Sequence, residues 1–259
     1  MMTPAMAHVR QPLELVWTLA RTDFKSRYQP TVGGFLWALM KPVAMFLVLN
    51  AVFSFIFGSN PTYRLNLIIG LCLWDFFAES TKTGLVSLQV KGYLLNKARF
   101  STWILVVTSI SNALITLFVF CIVIVVSLAA AGRPPSLVSV VLFLSYLVTF
   151  AVIVLAFSLA SSVLFPRYRD LNQVWDVVSQ AGFFIAPIIY PLSIIPERYH
   201  LFLYCWPPTP IIQFSRAVLI DGTTPTAKAH ALLATGTLTA LLIGTIIFRR
   251  FGPRVAEHI

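Results

Sequence analysis

The chain has 259 residues, of which 58% are hydrophobic and only 11% charged, with a mean hydropathy of +0.84 and a formal net charge of +10. So little polar surface cannot clothe a soluble domain, and an integral membrane protein is implied. The excess of cations does not point to nucleic acid, because Lys and Arg gather at the ends of alternate apolar runs, where they set membrane orientation.

In chain order, residues 1–12 carry no apolar core, so no cleaved leader is expected. A helix is predicted over 12–28. Leu13, Val16, Trp17, Ala20, Phe24 and Tyr28 share one face of it, opposite Glu14, Arg21, Lys25 and Arg27. It is too polar to span and suits the membrane interface, although a soluble amphipathic helix would look the same. Six apolar runs follow, predicted as spans at 33–57, 65–88, 103–131, 137–165, 174–190 and 229–248. A bilayer core requires about 20 residues, which all but the fifth run supply; the fifth is too short to cross comfortably alone. The fold class expected is therefore all-α integral membrane, with one domain over 1–259. One side of the membrane collects twelve cations: Arg10, Arg21, Lys25, Arg27, Lys91, Lys97, Arg99, Arg167, Arg169, Arg249, Arg250 and Arg254. The other has five, Arg64, Arg133, Arg198, Arg216 and Lys228, which puts both termini in the cytoplasm.

Two connections and one span end stand out. Residues 89–102, QVKGYLLNKARFST, are basic with Tyr93, Leu94, Leu95 and Phe100 between the charges, as a short helix on the membrane face would be. Residues 191–228 hold Pro191, Pro196, Pro207, Pro208, Pro210 and Pro225 around apolar pieces too short to span, which predicts an external re-entrant hairpin. The fifth run follows the charged turn Arg167-Tyr168-Arg169-Asp170-Leu171 and ends in Ala186-Pro187-Ile188-Ile189-Tyr190-Pro191. Irregular backbone at membrane depth must be shielded by protein or by a water-filled path, which favours a conduit over an anchor.

The chemistry on offer is sparse. There is no G-x-x-x-x-G-K-[ST], so no nucleotide is cradled by that route. His8, His200, His230 and His258 lie in tails, loops or at a span end, and Cys72, Cys121 and Cys205 are too scattered for a metal or disulfide framework. No metal, no catalytic centre and no cofactor of its own are expected.

Charges inside spans are costly and ask for partners. Asp75, Glu79 and Lys82 fall at i, i+4 and i+7 of the second span, on one face, and Lys41 of the first span can neutralise Asp75 or Glu79. The cluster reads either as a hydrophilic path or as a structural ion pair between helices. Asp176 sits near a span end, within reach of water. Phe35, Phe46, Phe53 and Phe57 make a stripe on the first span, with Trp37 nearby, and Phe183, Phe184 and Tyr190 line the fifth. Such rings suit the C–H faces of sugars, and they suit lipid or helix packing equally.

In this order the parts resemble the membrane subunit of ABC-2 type exporters, in the polysaccharide branch that exports O-antigen, capsule, teichoic acid or related lipid-linked glycans. The resemblance rests on Arg21 to Tyr28 running into Gly34-Phe35-Leu36-Trp37-Ala38-Leu39, on Gly70-Leu71-Cys72-Leu73-Trp74-Asp75-Phe76-Phe77, on Arg169-Asp170-Leu171 through Pro191, and on Pro208-Thr209-Pro210-Ile211 with Arg216. Lys41 before Pro42, and the lack of a proline and an acid in 97–101, depart from the family's habit. The resemblance implies a permease half that dimerises, with a channel between two copies lined by the first and fifth spans. It implies a separate ATP-binding cassette subunit, holding ATP and Mg, docked on Arg21, Lys25 and Arg27 and on Lys91, Tyr93, Leu95, Lys97 and Arg99. Pro191, Pro207, Pro210 and Arg216 would belong to the external gate. The substrate implied is a lipid-linked polysaccharide leaving the cytoplasm across the plasma membrane. The rivals are an ABC-2 exporter of lipids or drugs, an ion-coupled secondary transporter and a scaffolding membrane protein.

Overall fold

Nine helices and two 3₁₀ turns account for most of the described chain. The structure, a computed structural model, describes residues 12–29, 32–57, 61–94 and 100–253. The helices are α1 (Pro12–Tyr28), α2 (Leu36–Phe57), α3 (Pro61–Lys91), α4 (Trp103–Ala130), α5 (Leu137–Leu164), α6 (Leu171–Ile185), α7 (His200–Tyr204), α8 (Pro208–Leu219) and α9 (Ala227–Phe251). The 3₁₀ turns, Leu192–Ile194 and Glu197–Tyr199, lie between α6 and α7. No strand occurs among the described residues.

Local signals explain most ends. Ser136 Oγ accepts from the Ser139 amide and Thr226 Oγ1 from the Ala229 amide, so α5 and α9 each open on a side-chain cap. Pro12 and Pro208 occupy first helical turns, where a missing amide costs nothing. Before α2 the chain turns through Gly34 at φ 46°, a conformation that disfavours a side chain. That turn delays the helix to Leu36 and leaves Phe35 outside it.

Among the described residues four helices are long and apolar enough to cross a membrane: α2 over Leu36–Phe53, α4, α5 and α9. The chain is thus a multi-pass membrane protein. The other two expected spans differ for opposite reasons. α3 has ample length, 31 residues or about 46 Å, but carries Arg64, Asp75, Glu79 and Lys82. α6 stops after 15 residues, because Pro187 and Pro191 cannot continue it beyond Ile185.

α3 is the hub, packing against α2, α4, α5, α6 and α8. Its Leu67, Leu73, Phe76 and Leu85 are essentially sealed from solvent. Phe77 stacks on Phe150 of α5 with ring centroids 5.7 Å apart, and Phe76 meets the same ring edge-on. Between apolar helices in lipid, association depends on close approach, which small residues allow. A Cβ on Gly84 would lie 2.0 Å from Ser158 Oγ, and one on Gly244 2.3 Å from the Ala156 carbonyl oxygen. These two contacts bring α3 and α9 tight against α5.

The periphery is thinner. Among the described side chains of α2 only Pro42 is buried, and α2 packs chiefly on α3. α1 does not lie by itself: it rests against α4 and is tied to α3 by ion pairs Asp23–Lys91 and Arg27–Glu79.

Candidate functional site

α2 and α6 lean on α3 from two sides and enclose a groove of about 870 Å³. α2 contributes Lys41, Pro42, Met45 and Val48, and α3 contributes Leu71, Trp74, Asp75 and Lys82. The α6 wall is Trp175, Asp176, Ser179, Gln180, Phe183 and Phe184. The floor is aromatic: Trp74 meets Phe183 at 5.5 Å, edge to face, and the Trp175 indole N–H donates to Thr81 Oγ1 at 3.1 Å. Ser179 Oγ, buried in the α6 wall, finds no partner among the described residues.

The charged face of α3 is divided among three neighbours. Asp75 pairs with Lys41 of α2 at 3.0 Å, Glu79 with Arg27 of α1, and Lys82 with Asp176 of α6. One face thus ties down three helices. Lys41 remains 70% exposed at the side chain while Asp75 is 14% exposed, so the acid is the buried member of the pair. Burial works against the charge of Arg27, and Glu79, by its charge and hydrogen bond, more than offsets this and holds the guanidinium above its ordinary pKa.

The predicted aromatic residues take several places. Phe183 is buried on the groove floor, and Phe184 is 65% exposed in it. Phe46 and Phe53 turn inward against the core that α3 anchors, so the groove face of α2 is aliphatic instead. Phe35 packs with Phe24 and Tyr28 at 5.6 and 5.2 Å, at the joint between α1 and α2. Trp37 is exposed beside that joint and lies over Gly33. The Tyr190 hydroxyl donates to the Phe184 carbonyl at 2.9 Å and closes the end of α6. The side chain of Phe57 is outside the described part.

Of the predicted docking residues, Arg21, Lys25 and Tyr93 are exposed, while Arg27 and Lys91 are drawn into the pairs above. Leu95, Lys97 and Arg99 lie outside the described residues. In the proline-rich segment, Pro191 follows the break after α6, and Pro207 and Pro210 open α8.

Arg216 differs most from expectation. Counted by its position among the external cations, it is 6% exposed. Its Nε and Nη2 donate to the Asn66 carbonyl at 3.1 and 2.7 Å, Nη1 to Pro187 at 2.6 Å and Nη2 to Ile188 at 3.0 Å. The guanidinium therefore staples the start of α3 to the irregular backbone after α6. A lone cation inside the apolar run 211–220 was the signal for this, since a charge in such a run needs a dedicated partner. No sequence feature marked Asp176 as the partner of Lys82, or Arg27 as that of Glu79.

Residues 14–220 match the ABC-2 type transporter family. The chain belongs to that family. The match runs from α1 through α8, and so includes the groove and the Arg216 staple. Among curated relatives, the O-antigen export system permease protein RfbA of Myxococcus xanthus is 27% identical over 95% of both chains. The protein of the same name from Klebsiella pneumoniae is 25% identical over 94% of both. The polysialic acid transport protein KpsM of Escherichia coli is 22% identical over 88% of this chain and 89% of its own. In a member of the ABC-2 family, an apolar groove with paired charges is a candidate for a translocation surface.

Proposed function

We propose that the chain is the permease subunit of an ATP-driven exporter that moves a lipid-linked polysaccharide out of the cytoplasm, and that it catalyses no reaction itself. α3 and α6 join the four apolar helices as membrane crossings, six in all, with α1 and both termini on the cytoplasmic side of the inner membrane. Residues 191–226 form the external end, with a re-entrant hairpin. Two copies assemble with α2 and α6 facing one another, and the two grooves merge into one path. A separate cassette subunit binds ATP and Mg and drives the cycle from below, through α1 and the loop that begins at Lys91.

The observation that carries this reading is the groove itself. Its floor and walls are largely apolar, its charges are neutralised in pairs, and α2 beside it presents an apolar surface that the described residues leave bare. An open apolar strip in a membrane protein suits a partner copy, a lipid anchor or both. The relatives named for O-antigen and polysialic acid export supply the substrate class.

The mainly apolar α2 wall favours one alternative, an ABC-2 exporter of a simple lipid, because apart from Lys41 its Pro42, Met45 and Val48 offer a sugar nothing to bond. Purification in mild detergent decides the architecture: a stoichiometric partner with a Walker A motif is expected, and a chain that copurifies with none overturns the ABC reading. Deleting the gene and assaying the cell surface decides the cargo. Loss of surface polysaccharide supports the reading, and unchanged polysaccharide with altered lipid supports the alternative.

A further inference from the structure

At the end of α3 remote from α1 there is a second cavity of about 350 Å³. It lies between the first turns of α3, the irregular backbone after α6, α8 and the loop 221–225. Its volume is at the lower end of the range for small-molecule sites, about 300–1,000 Å³. The lining differs in kind from the groove. Tyr63, Tyr190 and Tyr204 supply ring faces, and Asn66, Gln213 and Asp221 supply amides and a carboxylate, with Thr223 and Thr224 at the loop.

We infer that this cavity is a binding site for one neutral, hydroxyl-rich sugar residue of the exported glycan. The inference rests on the polysaccharide reading above and adds a place where the cargo is held at the far end of its path. Three observations carry it. First, the Gln213 side chain lines the cavity, and its Nε2 meets no acceptor among the described residues. A buried donor without a partner is costly, and a hydroxyl brought in by a ligand supplies the missing acceptor. Second, the cation in the wall is already spent. Four hydrogen bonds from Arg216 run to three backbone carbonyls, leaving little of its fork for a phosphate or carboxylate. Third, Asp221 is exposed at the mouth, where it repels anions and accepts from hydroxyls. Tyrosine rings beside amides and a carboxylate match a pyranose, which has an apolar C–H face and a polar edge.

The test is saturation-transfer NMR on the full chain in lipid nanodiscs, with methyl glycosides of neutral hexoses as probes and inorganic phosphate as competitor. Transfer from protein to hexose is expected, with affinity lowered about tenfold by Asp221→Asn, an exposed-loop change that leaves folding intact. Gln213→Leu is expected to weaken it likewise, and Arg249→Gln, an exposed change at the opposite end of α9, to leave it unchanged. No transfer to any hexose, equal transfer in all variants, or displacement by phosphate each overturns the site. The cell-surface assay keeps the two failures apart. Polysaccharide export without hexose binding sinks the site alone, whereas absence of any polysaccharide phenotype on gene deletion sinks the functional reading.

Discussion

Arg216 Nη1 lies 2.6 Å from the Pro187 carbonyl oxygen, joining α8 to the break after α6 across 29 residues of sequence. The same side chain reaches Asn66 in α3, so one guanidinium sets the mutual position of three elements. Prolines at 187 and 191 end the helix, and Arg216 gives the backbone exposed by that break a donor to bond.

Arg216→Met is expected to leave the Pro187 and Ile188 carbonyls short of a donor, while the Asn66 carbonyl keeps its place in the α3 helix. At about 1–3 kcal/mol for each buried group left unmet, the loss amounts to about 2 kcal/mol or more. Arg216→Lys keeps the charge without the fork and should fall between. Thermal unfolding in detergent measures both, and a Met variant as stable as the parent would remove the staple from the account.

Lys82 and Asp176 hold α6 to α3 at the groove. Their side chains are 35% and 48% exposed, so breaking the pair should cost stability less than about 1 kcal/mol. The expected effect is on transport: Lys82→Ala reduces surface polysaccharide while the protein melts nearly as before. The exchange Lys82→Asp with Asp176→Lys should restore most export, and an exchange no better than the single change would argue against the pairing.

Phe184 and Phe46 separate path from packing. Phe184 is exposed in the groove, so Phe184→Ala should slow export with little change in melting. Phe46 is packed against the core, so Phe46→Ala should cost about 2 kcal/mol of stability, less than a fully buried Phe. Transport at equal protein level and detergent melting curves, taken together, check both; the reverse pattern would return Phe46 to the path.

Gly84 allows α3 to approach α5 closely. A methyl there would sit 2.0 Å from Ser158 Oγ and 3.4 Å from Ile110 Cγ2. Gly84→Ala should therefore cost about 1–3 kcal/mol through overpacking. Adding Ser158→Gly should recover most of it, because the hydroxymethyl group is the obstacle. Melting curves of the single and double variants decide the matter.

Helix placement was legible because hydrophobic runs and prolines act locally. Pro187 and Pro191 marked the break after α6, though the helix stops at Ile185 where the span was expected to run to 190, and the 4-residue spacing of Asp75 and Glu79 put both on one face. Of the two partners the sequence allowed Lys41, the structure selects Asp75. What stayed hidden depends on how helices rotate against one another. A stripe of phenylalanines has the same spacing whether it faces a path or a neighbour, and Phe46 and Phe53 face the neighbour. Arg27 reaches Glu79 over 52 positions, a contact that no local pattern encodes. Arg216, counted among external cations by its loop position, is buried because carbonyls from two distant segments converge on it.

The sparse burial of α2 bears on how the chain is made in the cell. In the two-copy assembly proposed above, a subunit not yet paired would display nearly the whole of that helix to lipid, with the Lys41 side chain 70% exposed on it. Quality-control proteases of the membrane survey surfaces of this kind, so the lifetime of the protein would be set by the supply of its partners more than by its own fold. Cells that produce this chain in excess would then hold no more of it than they can pair.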